Sequence, residues 1–83
     1  MKIRYFAWVR ERVGADEETV ALPDTVATAG DLIAWLSTVD DRHASAFAEP
    51  DAIRVAIDQV HVEHDEPIAG AAEIAFFPPM TGG

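Results

Sequence analysis

The chain has no cysteine. That one absence excludes disulfides, zinc–thiolate centres and cysteine nucleophiles. Positive charge is scarce: six Lys and Arg stand against fifteen Asp and Glu, for a formal net charge of −9. Such a surface repels phosphate backbones and anionic lipid, so no nucleic-acid and no membrane partner is expected, while a partner with a basic face would be steered in. Long hydrophobic runs are missing as well. No stretch approaches the ~20 apolar residues of a membrane span. The alternating start Met1-Lys2-Ile3-Arg4-Tyr5-Phe6 has no signal-peptide core, and a cytoplasmic protein is expected. Catalytic motifs are also lacking. There is no G-x-S-x-G elbow and no G-x-x-x-x-G-K-[ST] loop. Ser37 and Ser45 have no evident base, and the acid pair Glu17-Glu18 falls in an expected loop with nothing to tune it. The chain reads as something acted upon rather than as an enzyme.

What is present is the patterning of a small globular domain. Its 83 residues, 49% hydrophobic and 25% charged, suffice for one modest core and argue against disorder. Residues 2–9 alternate, with Ile3, Tyr5, Ala7 and Val9 on one face and Lys2, Arg4, Phe6 and Trp8 on the other, which predicts a strand. Arg10 to Gly14 reads as a polar connection and Thr19-Val20-Ala21-Leu22 as a second strand, antiparallel to the first. Thr28-Ala29-Gly30-Asp31 matches a capping box. The stripe Ala29, Leu32, Leu36 and Val39, widened by Ile33 and Trp35, predicts an amphipathic helix of about three turns. His43 to Glu49 suits a short second helix that buries Phe47, with His43 itself at the surface. Ile53, Val55 and Ile57 alternate with outward Arg54 and Ala56; Asp58-Gln59 reads as a turn into a short strand, Val60-His61-Val62. Gly70 marks another turn before a closing strand, Glu73 to Phe77. Within Val60–Glu66, the cluster His61, Glu63, His64, Asp65 and Glu66 holds the only candidate metal ligands. It lacks helical H-x-x-x-H spacing and reads as a solvated acidic loop, so no metal site is expected. Strands and helix mix without strict βαβ alternation, so the class is α+β: one main helix across a mixed sheet. With the first and last strands neighbours at its middle, Arg4, Phe6, Arg54, Ala75 and Phe77 share the open face and form a candidate partner-binding patch.

The remaining stretch is Phe76-Phe77-Pro78-Pro79-Met80-Thr81-Gly82-Gly83, which carries no charged side chain. Pro78 and Pro79 end the strand ladder, because proline has no N–H to donate. Gly82 and Gly83 have no Cβ and pass where larger residues clash. Extended, Pro78 to Gly83 reaches roughly 20 Å at about 3.3–3.6 Å per residue. The expectation is a domain over 1–77 with a tail over 78–83 whose reactive group is the Gly83 α-carboxylate.

These residues resemble a known family, the MoaD-type sulfur carriers that form the small subunit of molybdopterin synthase. The resemblance rests on Phe76 to Gly83, on Tyr5-Phe6-Ala7, Val9-Arg10-Glu11 and Gly14, and on Asp65-Glu66-Pro67-Ile68, Gly70 and Glu73 to Phe77. Asp58 departs from the family's frequent asparagine, and Ala69-Gly70-Ala71-Ala72 from its more acidic turn. The resemblance implies a ubiquitin-like β-grasp fold. It also implies that Gly83 is adenylated by a ubiquitin-activating-type enzyme using ATP and converted to a thiocarboxylate. In the large synthase subunit, most simply in a heterotetramer, Gly83 then gives its sulfur to a pterin precursor in molybdenum cofactor biosynthesis. No cofactor is bound by the chain itself, and the catalytic side chains belong to the partners. Met80, Thr81 and Gly82 would share the large subunit's channel with Pro78 and Pro79. Three alternatives remain open: a thiamine-type or other sulfur carrier, a ubiquitin-like modifier that joins Gly83 to lysines, and an interaction domain with an inert tail.

Overall fold

A computed structural model describes residues 1–79. Five strands form one sheet in the order β2-β1-β5-β3-β4: β1 Lys2–Tyr5, β2 Glu17–Thr19, β3 Arg54–Ile57, β4 Val60–Val62 and β5 Glu73–Phe77. Three helices, α1 Ala7–Val13, α2 Ala29–Leu36 and α3 Asp41–Ala46, and a 3₁₀ turn over Pro50–Ala52 complete the elements among the described residues. β1 and β5 pair in parallel at the centre and the other three pairs are antiparallel. The expected β-grasp arrangement, with the first and last strands adjacent, is the one found.

α2 starts as its sequence predicts. The Thr28 hydroxyl accepts the Asp31 N–H at 3.1 Å, and the Asp31 carboxylate accepts the Thr28 N–H at 3.2 Å. Its apolar stripe buries Ala29, Leu32, Ile33 and Leu36 against Ile3, Tyr5, Val55, Ile74 and Phe76. The helix ends sooner than the stripe suggested. Val39 lies beyond it and is exposed.

The first strand is shorter than its alternation predicts. It stops at Tyr5; Phe6 keeps an extended backbone, and Ala7 turns the chain at φ 52°. Left-handed backbone costs an L-residue roughly 1–2 kcal/mol, and here it opens α1 where a strand and a polar connection were expected. Val9 and Val13, four apart, are the buried pair of α1, while Ala7 is exposed. The helix closes on Gly14, at φ 89°, with the Arg42 guanidinium Nε donating to the Val13 carbonyl at 3.1 Å. A Cβ on Gly14 would sit 2.5 Å from that guanidinium.

The second strand also differs from expectation: Glu17–Thr19 pairs with β1, Val20 exchanges backbone hydrogen bonds with Met1 beyond it, and Leu22 packs against the core. Glu17 and Glu18 therefore lie in a strand rather than a loop. α3 follows its sequence in burying Phe47, but His43, expected at the surface, is buried at 6% exposure. Its two ring nitrogens are the reason, since each meets a carboxylate. Ala56 points to the open side as expected yet is buried too, paired between Ala75 and His61.

The β3–β4 hairpin turns on two residues with positive φ, Asp58 at 49° and Gln59 at 72°. The Asp58 carboxylate accepts the Ala72 and Glu73 N–H groups at 3.0 and 2.9 Å, tying the turn to the start of β5. This two-residue loop favours glycine at its second position. Gln59→Gly is expected to stabilise the domain by about 0.5–1 kcal/mol. The relief of left-handed strain, roughly 1–2 kcal/mol, is offset in part by the about 0.5–1 kcal/mol of added unfolded-chain entropy. A rise in the urea midpoint at constant slope would show it; a fall would show that the Gln59 side chain stabilises the turn.

Candidate functional site

The site is built on the open side of the central strands. β5 alternates cleanly: Ile74 and Phe76 are fully buried beneath α2, and Ala75 and Phe77 stand half-buried on the other face. Register completes the patch. Arg4, Ala75 and Ala56 lie in one cross-strand row, and Arg54 lies opposite Phe77. The His61 ring packs on Phe77 with centroids 4.9 Å apart. Phe6 follows the end of β1 and is 37% exposed, with the Arg4 guanidinium 5.2 Å above its ring. The structure thus brings together Arg4, Phe6, Arg54, Ala75 and Phe77 as the sequence suggested, and adds His61, which the sequence had placed with the acidic loop.

Charge here runs against the whole molecule. Arg4 and Arg54 flank the two phenylalanines on a protein of net charge −9. Arg4 reaches Glu73, whose side chain is half-buried, at 3.8 Å, and Lys2 reaches Glu17 at 3.5 Å as an exposed pair worth little on its own. The face is apolar at its centre with cations beside it. It suits a partner surface that offers apolar groups and carboxylates.

Pro78 and Pro79 continue from β5 and are half-buried. The tail residues expected to bind a partner or carry the chemistry, Met80, Thr81, Gly82 and Gly83, lie outside the described residues. Pro78 directly follows Phe77, so the stem begins at the patch.

The remaining candidates hold no comparable chemistry. Among the described residues no three His, Cys, Asp or Glu side chains converge as metal ligands. His64 Nε2 is engaged with the Ile53 carbonyl at 2.8 Å. A groove of about 820 Å³ beside β4, lined by Asp51, Arg54, His61, Glu63, His64 and Glu66 among others, is wide open and mixed in charge. No helix among the described residues is long and apolar enough to cross a membrane.

Comparison with known proteins agrees with this architecture. The ThiS family matches residues 3–83. The molybdopterin synthase sulfur carrier subunit of Escherichia coli (strain K12) is 39% identical over 83 residues, covering 100% of this chain and 99% of its own. The protein of that name from Haemophilus influenzae is 36% identical with the same coverage. The crystal structure of SAMP1 from Haloferax volcanii superposes with a TM-score of 0.72 at 28% identity, covering 100% of this chain and 98% of that one. The full-length matches and the β-grasp sheet lead to one assignment: the chain belongs to the ThiS family, among the sulfur carrier subunits of molybdopterin synthase.

Proposed function

We propose that the chain carries sulfur on the α-carboxylate of Gly83 and delivers it, as the small subunit of molybdopterin synthase, to a pterin precursor held by the large subunit. The observation that carries this reading is the placement of β5. The central strand ends at Phe77, on the open-face patch, and the next residues are the prolines that lead to Gly82-Gly83.

The chemistry accounts for the residues. A carboxylate is a poor electrophile, so a ubiquitin-activating-type enzyme first joins it to AMP from ATP, releasing pyrophosphate. A sulfide-level donor then displaces AMP and leaves a thiocarboxylate. Lacking cysteine, the chain must take that sulfur from outside. The thiocarboxylate sulfur attacks an electrophilic carbon of the precursor, and a carbon–sulfur bond forms as that carbon's bond to oxygen breaks and the oxygen group leaves. Water then cleaves the acyl–sulfur bond and restores the carboxylate. Pro78 and Pro79 stiffen the stem and reduce the entropy lost when the tail is threaded. Phe6, Phe77, Ala75, Arg4 and Arg54 give both partners, in a cytoplasmic assembly that is heterotetrameric in the simplest case, a shared surface to grip.

A second reading has one observation in its favour, the likeness to SAMP1, a small archaeal modifier protein. A modifier would use the same adenylate but pass Gly83 to a lysine amine. One experiment separates the two. The protein is incubated with ATP, a sulfide donor and its cognate adenylating enzyme, and the C-terminal peptide is then fragmented in a mass spectrometer. Sulfur in place of one Gly83 oxygen is the expected result. Fragmentation distinguishes it from oxidation of Met1 or Met80. An unmodified carboxylate, or Gly83 found only in isopeptide-linked adducts, would overturn the carrier reading.

A further inference from the structure

The buried histidine lies away from the patch and takes no part in the chemistry proposed above. His43 Nε2 lies 2.6 Å from Glu18 Oε1, and His43 Nδ1 lies 2.8 Å from Asp40 Oδ1. The same Glu18 oxygen accepts the Tyr5 hydroxyl at 2.6 Å. The cluster joins three elements: Tyr5 on β1, Glu18 on the edge strand β2, and Asp40 at the N-cap of α3, whose carboxylate also accepts the His43 N–H at 2.8 Å. Ionised carboxylates only accept hydrogen bonds, so both ring nitrogens must donate, and only the imidazolium does so. A neutral ring, itself buried, would press a bare nitrogen against a carboxylate oxygen, although the Glu18 and Asp40 carboxylates themselves reach water. No buried side-chain polar atom among the described residues lacks a neighbour within hydrogen-bond distance.

We propose that His43 is a proton-controlled clasp: doubly protonated between Glu18 and Asp40, it fastens β2 and α3 to the core, and it releases them as the pH rises. The charges around it favour the protonated form. Glu18 and Asp40 are the two that face the ring. α1, packed on α3, contributes Arg12, which donates to the Ser45 carbonyl at 3.4 Å, and α3 contributes Arg42, which donates to the Val13 carbonyl. Arginine does not titrate in this range. Arg10, Glu11, Glu17 and Asp41 on these elements are exposed. Burial opposes the charge on His43 most strongly, but the hydrogen bonds and charges of Glu18 and Asp40 outweigh it, so its pKa lies above the ordinary 6.5.

A histidine whose folded-state pKa is raised contributes its full stabilisation below the unfolded value of 6.5 and loses it as pH rises through the folded value. Asp40, held below the ordinary carboxylate range by its bonds to the His43 backbone and ring, acts at the other end, where stability falls with acidification. Release of the clasp reaches the strand that launches the tail. The Tyr5 ring stacks on Phe76 with centroids 6.3 Å apart and meets the His43 ring edge-on at 6.2 Å.

The test is an NMR titration of the three histidines in the full chain from about pH 5 to about pH 9, with urea midpoints measured over the same range for the wild type and His43→Gln. His43 is expected to titrate above 6.5, and the wild-type midpoint to fall across that step while His43→Gln stays level. Glu18→Gln, which keeps a partner for Tyr5, is expected to lower the His43 titration midpoint by roughly one pH unit. A His43 titration at or below 6.5, parallel urea curves for wild type and variant, or no movement in Glu18→Gln would each overturn the clasp. If neither variant folds, the wild-type titration decides alone.

Discussion

Gly83→Ala, or one residue added after Gly83, is expected to cut sulfur transfer by at least about a hundredfold, the scale of loss from misplacing a reacting group by about 1 Å. In the proposed reaction the α-carboxylate meets three things in turn: the phosphorus of ATP, the sulfur donor and the pterin precursor. On this proposal the chain reaches the reacting atoms through a passage that admits bare backbone. A Cβ widens the last residue, and an added residue moves the carboxylate about 3.3–3.6 Å along the passage. Folding should not change. β5 ends at Phe77, and no core residue among those described follows Phe76. The measurement pairs single-turnover thiocarboxylate formation and product yield with the urea midpoint of the free protein. An Ala variant with full transfer and an unchanged midpoint would remove Gly83 from the chemistry. A variant that loses both would show that the tail supports the fold.

How far sequence could see depended on the distance over which each feature is determined. The α2 cap was legible because Thr28 and Asp31 are three residues apart and satisfy one another. β5 was legible because alternation of Ile74, Ala75, Phe76 and Phe77 admits one orientation once one face is buried. α1 was hidden by a coincidence of periods. Ala7, Val9 and Val13 fit a strand for the first pair and a helix for the second, and the deciding event is a backbone turn at Ala7 that composition does not announce. His43 was misplaced because its partner Glu18 lies 25 residues away. Nothing near His43 in the chain requires it to be buried. The β2 shift has the same origin, since Glu18 is drawn into the ladder by Tyr5 and His43. The patch was found because it follows from strand order alone. The chemistry of the tail was readable only through likeness to the sulfur carriers, for a Gly-Gly end has no side chain from which to infer it.

Adjacent phenylalanines on β5 should fail in opposite ways. Phe76 is fully buried, packed edge-on against Phe47 at 5.2 Å and stacked on Tyr5. Phe76→Ala is expected to destabilise the domain by about 3–5 kcal/mol, a large share of the roughly 5–15 kcal/mol that holds a small protein folded. Phe77 faces the other way and touches His61 rather than the core. Phe77→Asp should leave the fold near its wild-type midpoint, because the new charge reaches water on the open face. Its effect belongs to the complex. An aromatic anchor at the centre of an interface contributes about 2 kcal/mol or more, so affinity for the large synthase subunit should fall by at least about 30-fold. Replacing the ring with a carboxylate adds repulsion from the partner carboxylates that Arg4 and Arg54 would attract. Phe6→Asp should act likewise, since Phe6 lies on the same patch under Arg4. Calorimetric titration of each variant into the large subunit, beside urea unfolding of each variant alone, reads both quantities. Unchanged affinity in both Phe6→Asp and Phe77→Asp would mean that the partner holds the carrier by its tail alone, and the open face would lose its role.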